Sequence, residues 1–313
     1  MTPYPKSKGL AAIVDMGSDF PPSIRETLEA LKCSIVFRET PGRKTTRGQN
    51  IYGPGELRGE TAVLYYIDLC CGKGFEYVSP KKRLDVDDLS PALLASKTFH
   101  LICNPTRAIS LVKNILSRRK ENKIEEMPLF LWEPVPGVCT SNNWKDCMKA
   151  MKYVGVITPN INEAAEFLGQ TIDEELPFEQ FKGHVEKIAE EYGSHQSGMG
   201  KAIVIRCGKH GCLLHSSSVT KWVPAYHQTR EKVIDPTGGG NTFCGGFCAG
   251  WVQSEGDFET GCVFGNIAAS YVIERFGLPE LTFANEELWN GDSIEVRRGR
   301  YRFICQEGRN ILQ

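Results

Sequence analysis

From about residue 99 onward, short apolar runs alternate with longer segments of helical periodicity. "TFHLIC" precedes "RAISLVKNILSRRK", "PLFLWEP" precedes "NWKDCMKAMK", "VGVIT" precedes "NEAAEFLG", and "KAIVIRC" follows the amphipathic "FEQFKGHVEKIAEEYG". Continuous apolar runs separated by helices read as a parallel sheet, because parallel strands need long crossovers and bury both faces. Two further helices are expected over Gly240 to Gln253 and Phe258 to Phe276, both rich in small residues that permit close packing. Residues 33 to 88 differ. "SIVFRE", "KTTRGQNIYG", "ETAVLYYIDL" and "FEYVS" are β-prone runs between Gly, Pro and charged turns, with little helical period. They predict a small β subdomain, and such an appendage beside an α/β domain often covers a ligand crevice at the carboxyl ends of the strands.

Composition narrows the class. A chain of 313 residues that is 41% hydrophobic and 24% charged is globular and large enough for a sizeable core. With 37 basic against 38 acidic residues the net charge is -1, so nothing attracts the whole molecule to nucleic acid or an anionic membrane. The basic clusters "SRRKENK" and "RRGRYR" are offset by nearby acids and read as solvated helix faces or tails. No stretch is long and apolar enough for a membrane span, and the start carries no signal-peptide pattern, so a cytoplasmic location is expected. The 12 cysteines are scattered through apolar segments without a CxxC pair, as reduced core thiols would be. Cys244 and Cys248, four apart on an expected helix, read as packing residues, since the sequence offers no companion ligands beside them.

The stretch with the most chemistry is "VIDPTGGGNTFCGGFCAG", residues 233 to 250. A strand-like entry, three glycines and a helix start should leave the amides of Gly239, Gly240 and Asn241 unpaired at a positive helix end, which suits an anion. A turn that merely lets the helix pack tightly is the competing reading. Neither GK[ST] nor GxGxxG is present, so a Walker phosphate loop is absent and a nicotinamide-dependent oxidoreductase is disfavoured.

Neighbouring segments sharpen the reading. "DPTGGGNTFCGGF" resembles the DTxGAGDxFxGGF signature of the PfkB carbohydrate kinases, "ITPNINEAAEFLG" their TPNxxEA element, "VIRCGKHGCLL" their TxGxxG strand and turn, and "FGNIAASYVIERFG" the helix that closes over adenine. "DFPPSI", "KTTRGQNIYG", "WEPVPGVC" and "ELWNGDSIE" look like the fungal branch of that family, the one containing the yeast maintenance-of-killer protein. The resemblance implies a ribokinase-like α/β fold, a mostly parallel central sheet flanked by helices with a small β lid at about 33–88, in a single domain spanning 1–313. It implies ATP and Mg²⁺, with K⁺ in some members, and a small hydroxylated substrate. Lids of this kind can also pair two copies. Neither nucleic acid nor membrane is implied as a partner.

Placed on this chain, the resemblance gives Gly238, Gly239, Gly240 and the amide of Asn241 the anion hole for the transferring phosphate. Gly208 and Gly211 line the nucleotide, Asn160 and Glu163 organise magnesium and phosphates through water, Asn266 and Ala269 form an adenine wall, and Asp235 with Thr237 matches a monovalent-cation loop. Plainer readings stand beside these. Asn160 and Glu163 have capping-box spacing, Gly208 and Gly211 bracket a good hairpin turn with His210 exposed on it, and Ala269 would pack a helix in any α/β protein.

The sequence departs from the family twice. The Asp that acts there as general base is Asn241 here, and a neutral amide has no useful basicity near pH 7. "GLAAIVDMGSDFPPSIRETLEALKC" looks like the unit that follows the family's opening strand and GG-containing sugar grip, so these are expected to be missing, either because the chain is truncated or because the substrate half of the site is degenerate, and Asp15 and Asp19 are the only early aspartates. Two functions are therefore expected: a phosphotransferase acting on a sugar, polyol or nucleoside hydroxyl, slowed by Asn241, or a nucleotide-binding pseudokinase or scaffold without transfer.

Overall fold

A computed structural model describes residues 9–31, 33–50, 75–195, 200–283 and 286–311. The chain divides into two compact units, Met1–Leu94 and Ala95–Gln313.

In the first unit, β1 (Ala11–Met16), α1 (Pro22–Ala30) and β2 (Ser34–Glu39) form a βαβ unit, the two strands pairing in parallel from Ala11 opposite Ser34 to Met16 opposite Glu39. "SIVFRE" is thus the second strand of a crossover unit. β3 (Gly48–Asn50) and β4 (Phe75–Tyr77) pair antiparallel, and the short helix α2 (Pro91–Leu94) ends the unit. The run "ETAVLYYIDL" lies outside the described residues. Asp15 is held by Arg38 at 2.8 Å and Lys82 at 2.9 Å, and Asp19 accepts from the Thr45 amide at 2.7 Å and pairs with Arg47 at 3.0 Å. Burial would raise the Asp15 carboxyl, but these cations hold it below the usual range.

The second unit follows the alternation read from the sequence. Its strands and helices run β5 (Thr98–Cys103), α3 (Pro105–Glu121), β6 (Leu129–Pro134), α4 (Trp144–Met151), β7 (Val156–Ile157), α5 (Ile161–Phe167), α6 (Phe178–His195), β8 (Ala202–Arg206), β9 (Cys212–Ser216) and β10 (Thr220–Val223). After them come α7 (Gly239–Gln253), α8 (Phe258–Ile273), β11 (Leu281–Phe283), β12 (Glu287–Trp289) and α9 (Ile294–Ile311). The sheet order is β10-β9-β8-β7-β6-β5, with β5 to β8 parallel and β9 and β10 antiparallel at one side. β6 is buried along its whole length, as a central strand covered on both faces must be. The core joins sheet residues such as Leu131, Val204 and Leu214 to Phe243, Phe247 and Ile267 on the last helices.

α7 and α8 pack closely, the glycines of each helix lying against backbone or phenylalanine rings of the other. A Cβ at Gly246 would fall 2.5 Å from the Phe264 carbonyl oxygen, and one at Gly265 would fall 2.7 Å from the Phe243 ring. The small residues therefore serve helix-on-helix contact as well as contact with the sheet. The described cysteines are all free thiols, eight of the ten buried, in keeping with the reduced core expected. No helix among the described residues is long and apolar enough to cross a membrane.

The two basic clusters are not simply solvated. Arg119 is 2% exposed and its guanidinium donates to the carbonyls of Ser96, at 3.0 Å, and Glu126, closing the loop after α3. Arg297 is equally buried, pairs with Glu274 at 2.7 Å, donates to Ser270 Oγ at 2.7 Å and stacks 3.6 Å over the Tyr271 ring. Spacing could not separate these two from their neighbours, because one residue per helical turn faces inward whatever its charge.

Burial alone would raise Glu274, yet contacts from His227, Arg297 and Asn290 hold it down at about 2. Replacing Arg297 by Ala removes one charged partner from that half-buried carboxylate, which keeps His227 and Asn290, so Arg297→Ala is expected to lower unfolding stability by about 1.5–3 kcal/mol in denaturant titration. Arg119→Lys keeps the charge and should cost clearly less.

Candidate functional site

The site begins with the strap before α7. The amides of Ile234 and Asp235 both donate to the Ile273 carbonyl at the end of α8, at 2.8 and 3.1 Å, and Asp235 Oδ1 accepts from the Thr237 amide at 2.9 Å. The chain then turns through Pro236 to Gly239. Gly238 has φ 83° and ψ -9°, the third position of a type II turn, and the Gly239 amide closes the turn on the Pro236 carbonyl at 3.1 Å. A side chain in that left-handed region would cost about 1–2 kcal/mol, which accounts for glycine. Gly239 was expected to offer a free amide; the turn uses it. The amides of Gly240 and Asn241 remain, and they have no acceptor among the described residues. They stand at the positive end of a 15-residue helix, where N–H groups and dipole together favour an anion.

Directly beneath lies Arg206, the last residue of β8. A Cβ at Gly240 would fall 2.1 Å from its Nη1, so only glycine leaves the guanidinium its place. Arg206 Nη2 pairs with Glu133 Oε1 at 2.8 Å, lies 3.7 Å from Glu163 Oε2 and donates to the Thr158 carbonyl at 3.1 Å. These partners come from the carboxyl ends of β6 and β7 and the first turn of α5, where open α/β sheets place their ligands. The two carboxylates behave differently. Burial would raise Glu133, but the His100 hydrogen bond and the charges of Arg206 and His100 bring it below its ordinary value, so it carries the charge. Burial dominates at Glu163 and, against the pull of Arg206, lifts it to about 7.

The predicted residues fall into three groups. Asn160 and Glu163 form a complete capping box, Asn160 Oδ1 accepting from the Glu163 amide and Glu163 Oε2 from the Asn160 amide, each at 2.8 Å. Through Arg206 they join Gly240 and Asn241 in one cluster. Asp235, Thr237 and Gly238 form the strap that enters it. The others stand apart. Gly208 and Gly211 bound a 3-10 turn between β8 and β9, at φ 51° and 88°. Gly208 is exposed to open space, whereas a Cβ at Gly211 would fall 2.2 Å from the Val223 carbonyl oxygen. His210, expected to be exposed, is half-buried, its ring 4.7 Å from that of Phe181 and 5.2 Å from that of Phe178. Asn266 is buried, its amide donating to Pro224 O at 3.0 Å and Tyr301 Oη at 2.9 Å. Ala269 is half-buried against the core.

Arg206, Glu133 and His100 escaped the sequence reading. The signal was there in "LFLWE" and "AIVIR", apolar strands that end on a charge, but nothing in either run says the two charges meet. Asn241 is exposed and offers its amide side chain beside the free N–H groups.

Comparison with known proteins places the chain in a family. Residues 135–282 match the model of the pfkB family carbohydrate kinases. An uncharacterised protein of Schizosaccharomyces pombe is 33% identical over 332 residues, covering 100% of this chain and 85% of the relative. Protein MAK32 of Saccharomyces cerevisiae is 31% identical over 300 residues, covering 91% and 76%. The structure of ribokinase from Giardia lamblia superposes with a TM-score of 0.60 at 18% identity, covering 87% of this chain and 80% of that one, a likeness of fold.

Two outcomes are expected. Gly240→Ala forces the guanidinium off its carboxylates and should lose about 1–3 kcal/mol in thermal unfolding, the usual cost of overpacking. Gly245→Ala, where a Cβ meets nothing within 4 Å, should gain up to about 1 kcal/mol from helix propensity. Glu163 supplies a pH dependence. Between its ordinary 4.5 and about 7 the folded protein holds a proton that the unfolded chain has released, so stability contributed here falls as pH rises through that window. Glu163→Gln keeps the cap and should flatten the curve of unfolding midpoint against pH between 5 and 7.

Proposed function

The chain belongs to the PfkB family of carbohydrate kinases, in the fungal branch with MAK32, and on that premise we propose that it transfers the terminal phosphate of ATP to a hydroxyl of a sugar, polyol or nucleoside. The observation that carries this reading is the pair of free amides at Gly240 and Asn241 above a charged, half-buried Arg206. Preorganised donors of this kind stabilise the charge on a transferring phosphoryl group without reorganising when it forms. In the step, the acceptor oxygen bonds to the γ-phosphorus, the bond to the bridging oxygen of ADP breaks, and the hydroxyl proton passes to solvent. Asn241 would orient the acceptor by a hydrogen bond. It cannot take the proton, and general-base help is worth about 10²- to 10⁴-fold, so transfer is slow.

The remaining roles follow from exposure and free atoms. Gly208, open to solvent, would let the nucleotide approach the backbone, while Gly211 shapes the turn behind it. Ala269 would face adenine, with Asn266 holding the 223–224 segment behind the helix. Glu163 has an oxygen spent on the Asn160 amide and is 7% exposed, so with Asn160 it fits Mg²⁺ only through water. Magnesium, when bound, neutralises phosphate charge. Asp235 and Thr237, half-buried in the strap, suit a single positive charge such as K⁺. Free thiols throughout the described chain suit the cytoplasm.

Asn241 also favours a second reading, a nucleotide-binding protein that has lost transfer. Calorimetric titration with ATP, with and without Mg²⁺, tests the shared part. Micromolar binding that requires magnesium and weakens at least tenfold in Gly238→Ala is expected; no binding at millimolar ATP would end both readings. ADP release across a panel of pentoses, polyols and nucleosides then separates them. Asn241→Asp should raise turnover about 10²-fold or more for a kinase and leave it at background for a binding protein.

A further inference from the structure

Beside the phosphate cradle, on the sheet side of α7, three groups of different chemistry converge. His100 comes from β5, Glu133 from the end of β6 and Cys244 from the second turn of α7. His100 Nε2 lies 2.9 Å from Glu133 Oε2, and Cys244 Sγ lies 3.7 Å from the same oxygen. All three donor atoms fall within 4.8 Å of one another. Cys244 is fully buried and Glu133 is 8% exposed, while His100 is half-buried and keeps one edge open.

We propose that His100, Glu133 and Cys244 form a binding site for a transition-metal ion of the zinc class, with the fourth position open on the His100 side. Spacing supports it. A tetrahedral ion with bonds of about 2.0–2.3 Å needs donors about 3.3–3.8 Å apart; the 3.7 Å between Cys244 and Glu133 fits, His100 and Glu133 at 2.9 Å must part slightly, and His100 and Cys244, within 4.8 Å, must settle into the same range. Donor type supports it too, because a set of imidazole, carboxylate and thiolate selects zinc-like ions over magnesium or calcium. The surroundings already hold the ligands in place. Arg206 occupies Glu133 Oε1 at 2.8 Å, leaving Oε2 to face the other two donors, as an outer partner of a ligating carboxylate does.

Charge balances on binding. Cys244 gives up its thiol proton to solvent, and the Nε2 proton of His100 that bonds Glu133 must also leave, to solvent or by transfer to Nδ1, before that nitrogen can ligate; the thiolate and the Glu133 carboxylate then neutralise a divalent ion. A thiol must lose its proton to ligate, so uptake should weaken as pH falls. Sequence spacing pointed away from this site, because Cys248 sits four residues on and has no such company. Cys244 finds its companions across the sheet. The site differs from the Mg²⁺ role above in donors and place.

The test uses the full chain, stripped with chelator and kept reduced, titrated with Co²⁺. One equivalent should produce the near-ultraviolet charge-transfer band of a thiolate-bound cobalt and visible bands of tetrahedral intensity, and Zn²⁺ should bleach both. Cys244→Ser should abolish the charge-transfer band, Cys248→Ser should leave it unchanged, and His100→Asn should weaken apparent affinity at least tenfold. Should Cys244→Ser fail to fold, His100→Asn decides the matter, since that half-exposed position tolerates a polar residue. Absence of a charge-transfer band in the wild type, or a band that survives Cys244→Ser or is indifferent to His100→Asn, would overturn the proposal.

Discussion

The geometry of the second unit turns on one largely enclosed guanidinium. Arg206 ends an apolar strand where charge would ordinarily be expelled, and a buried cation persists only where partners compensate it. It has them in Glu133, Glu163 and the Thr158 carbonyl, each delivered by a different element. The arrangement fixes the carboxyl ends of β6, β7 and β8 relative to the first turns of α5 and α7. It also dictates the residue above it: Gly240 is glycine because Nη1 fills the volume of a Cβ. Backbone freedom explains the neighbouring Gly238, so two adjacent parts of one glycine run answer to different constraints.

Burial, opposed to different degrees by Arg206 and by His100, sets the protonation of the two acids. Glu133 hydrogen bonds to His100 as well as Arg206 and keeps its charge; Glu163, more distant from the guanidinium and deeply buried, is poised near neutrality. The cluster thus avoids holding two full negative charges in a low-dielectric space, where mutual repulsion is strongest. An anion-binding helix end above it benefits, because the field beneath is dominated by the arginine.

Much of the fold was legible. The alternation of apolar runs with amphipathic segments located the strands and helices from β5 to β8, and the glycine run located the start of α7 to within a residue. The capping box of α5 was legible because its two members are three residues apart and act locally. What could not be read was long-range. That "WE" and "IR" end the two strands flanking β7 depends on strand order, which no local pattern encodes, and the buried faces of Arg119 and Arg297 depend on what packs against each helix. His210 was misplaced for the same reason: its turn is local, but Phe178 and Phe181 on α6 shelter it from far along the chain.

The backbone-close contact between α7 and α8 has a mechanical consequence. Sliding or rolling either helix drives a Cα into a carbonyl or a ring, so the pair behaves as a single stiff lever. One end of that lever carries the Gly240 and Asn241 amides; the other helix is clasped by Arg297 of α9 through Ser270 and Glu274. A disturbance to the last helix of the chain therefore reaches the cradle as rigid displacement, without altering a single residue that forms it.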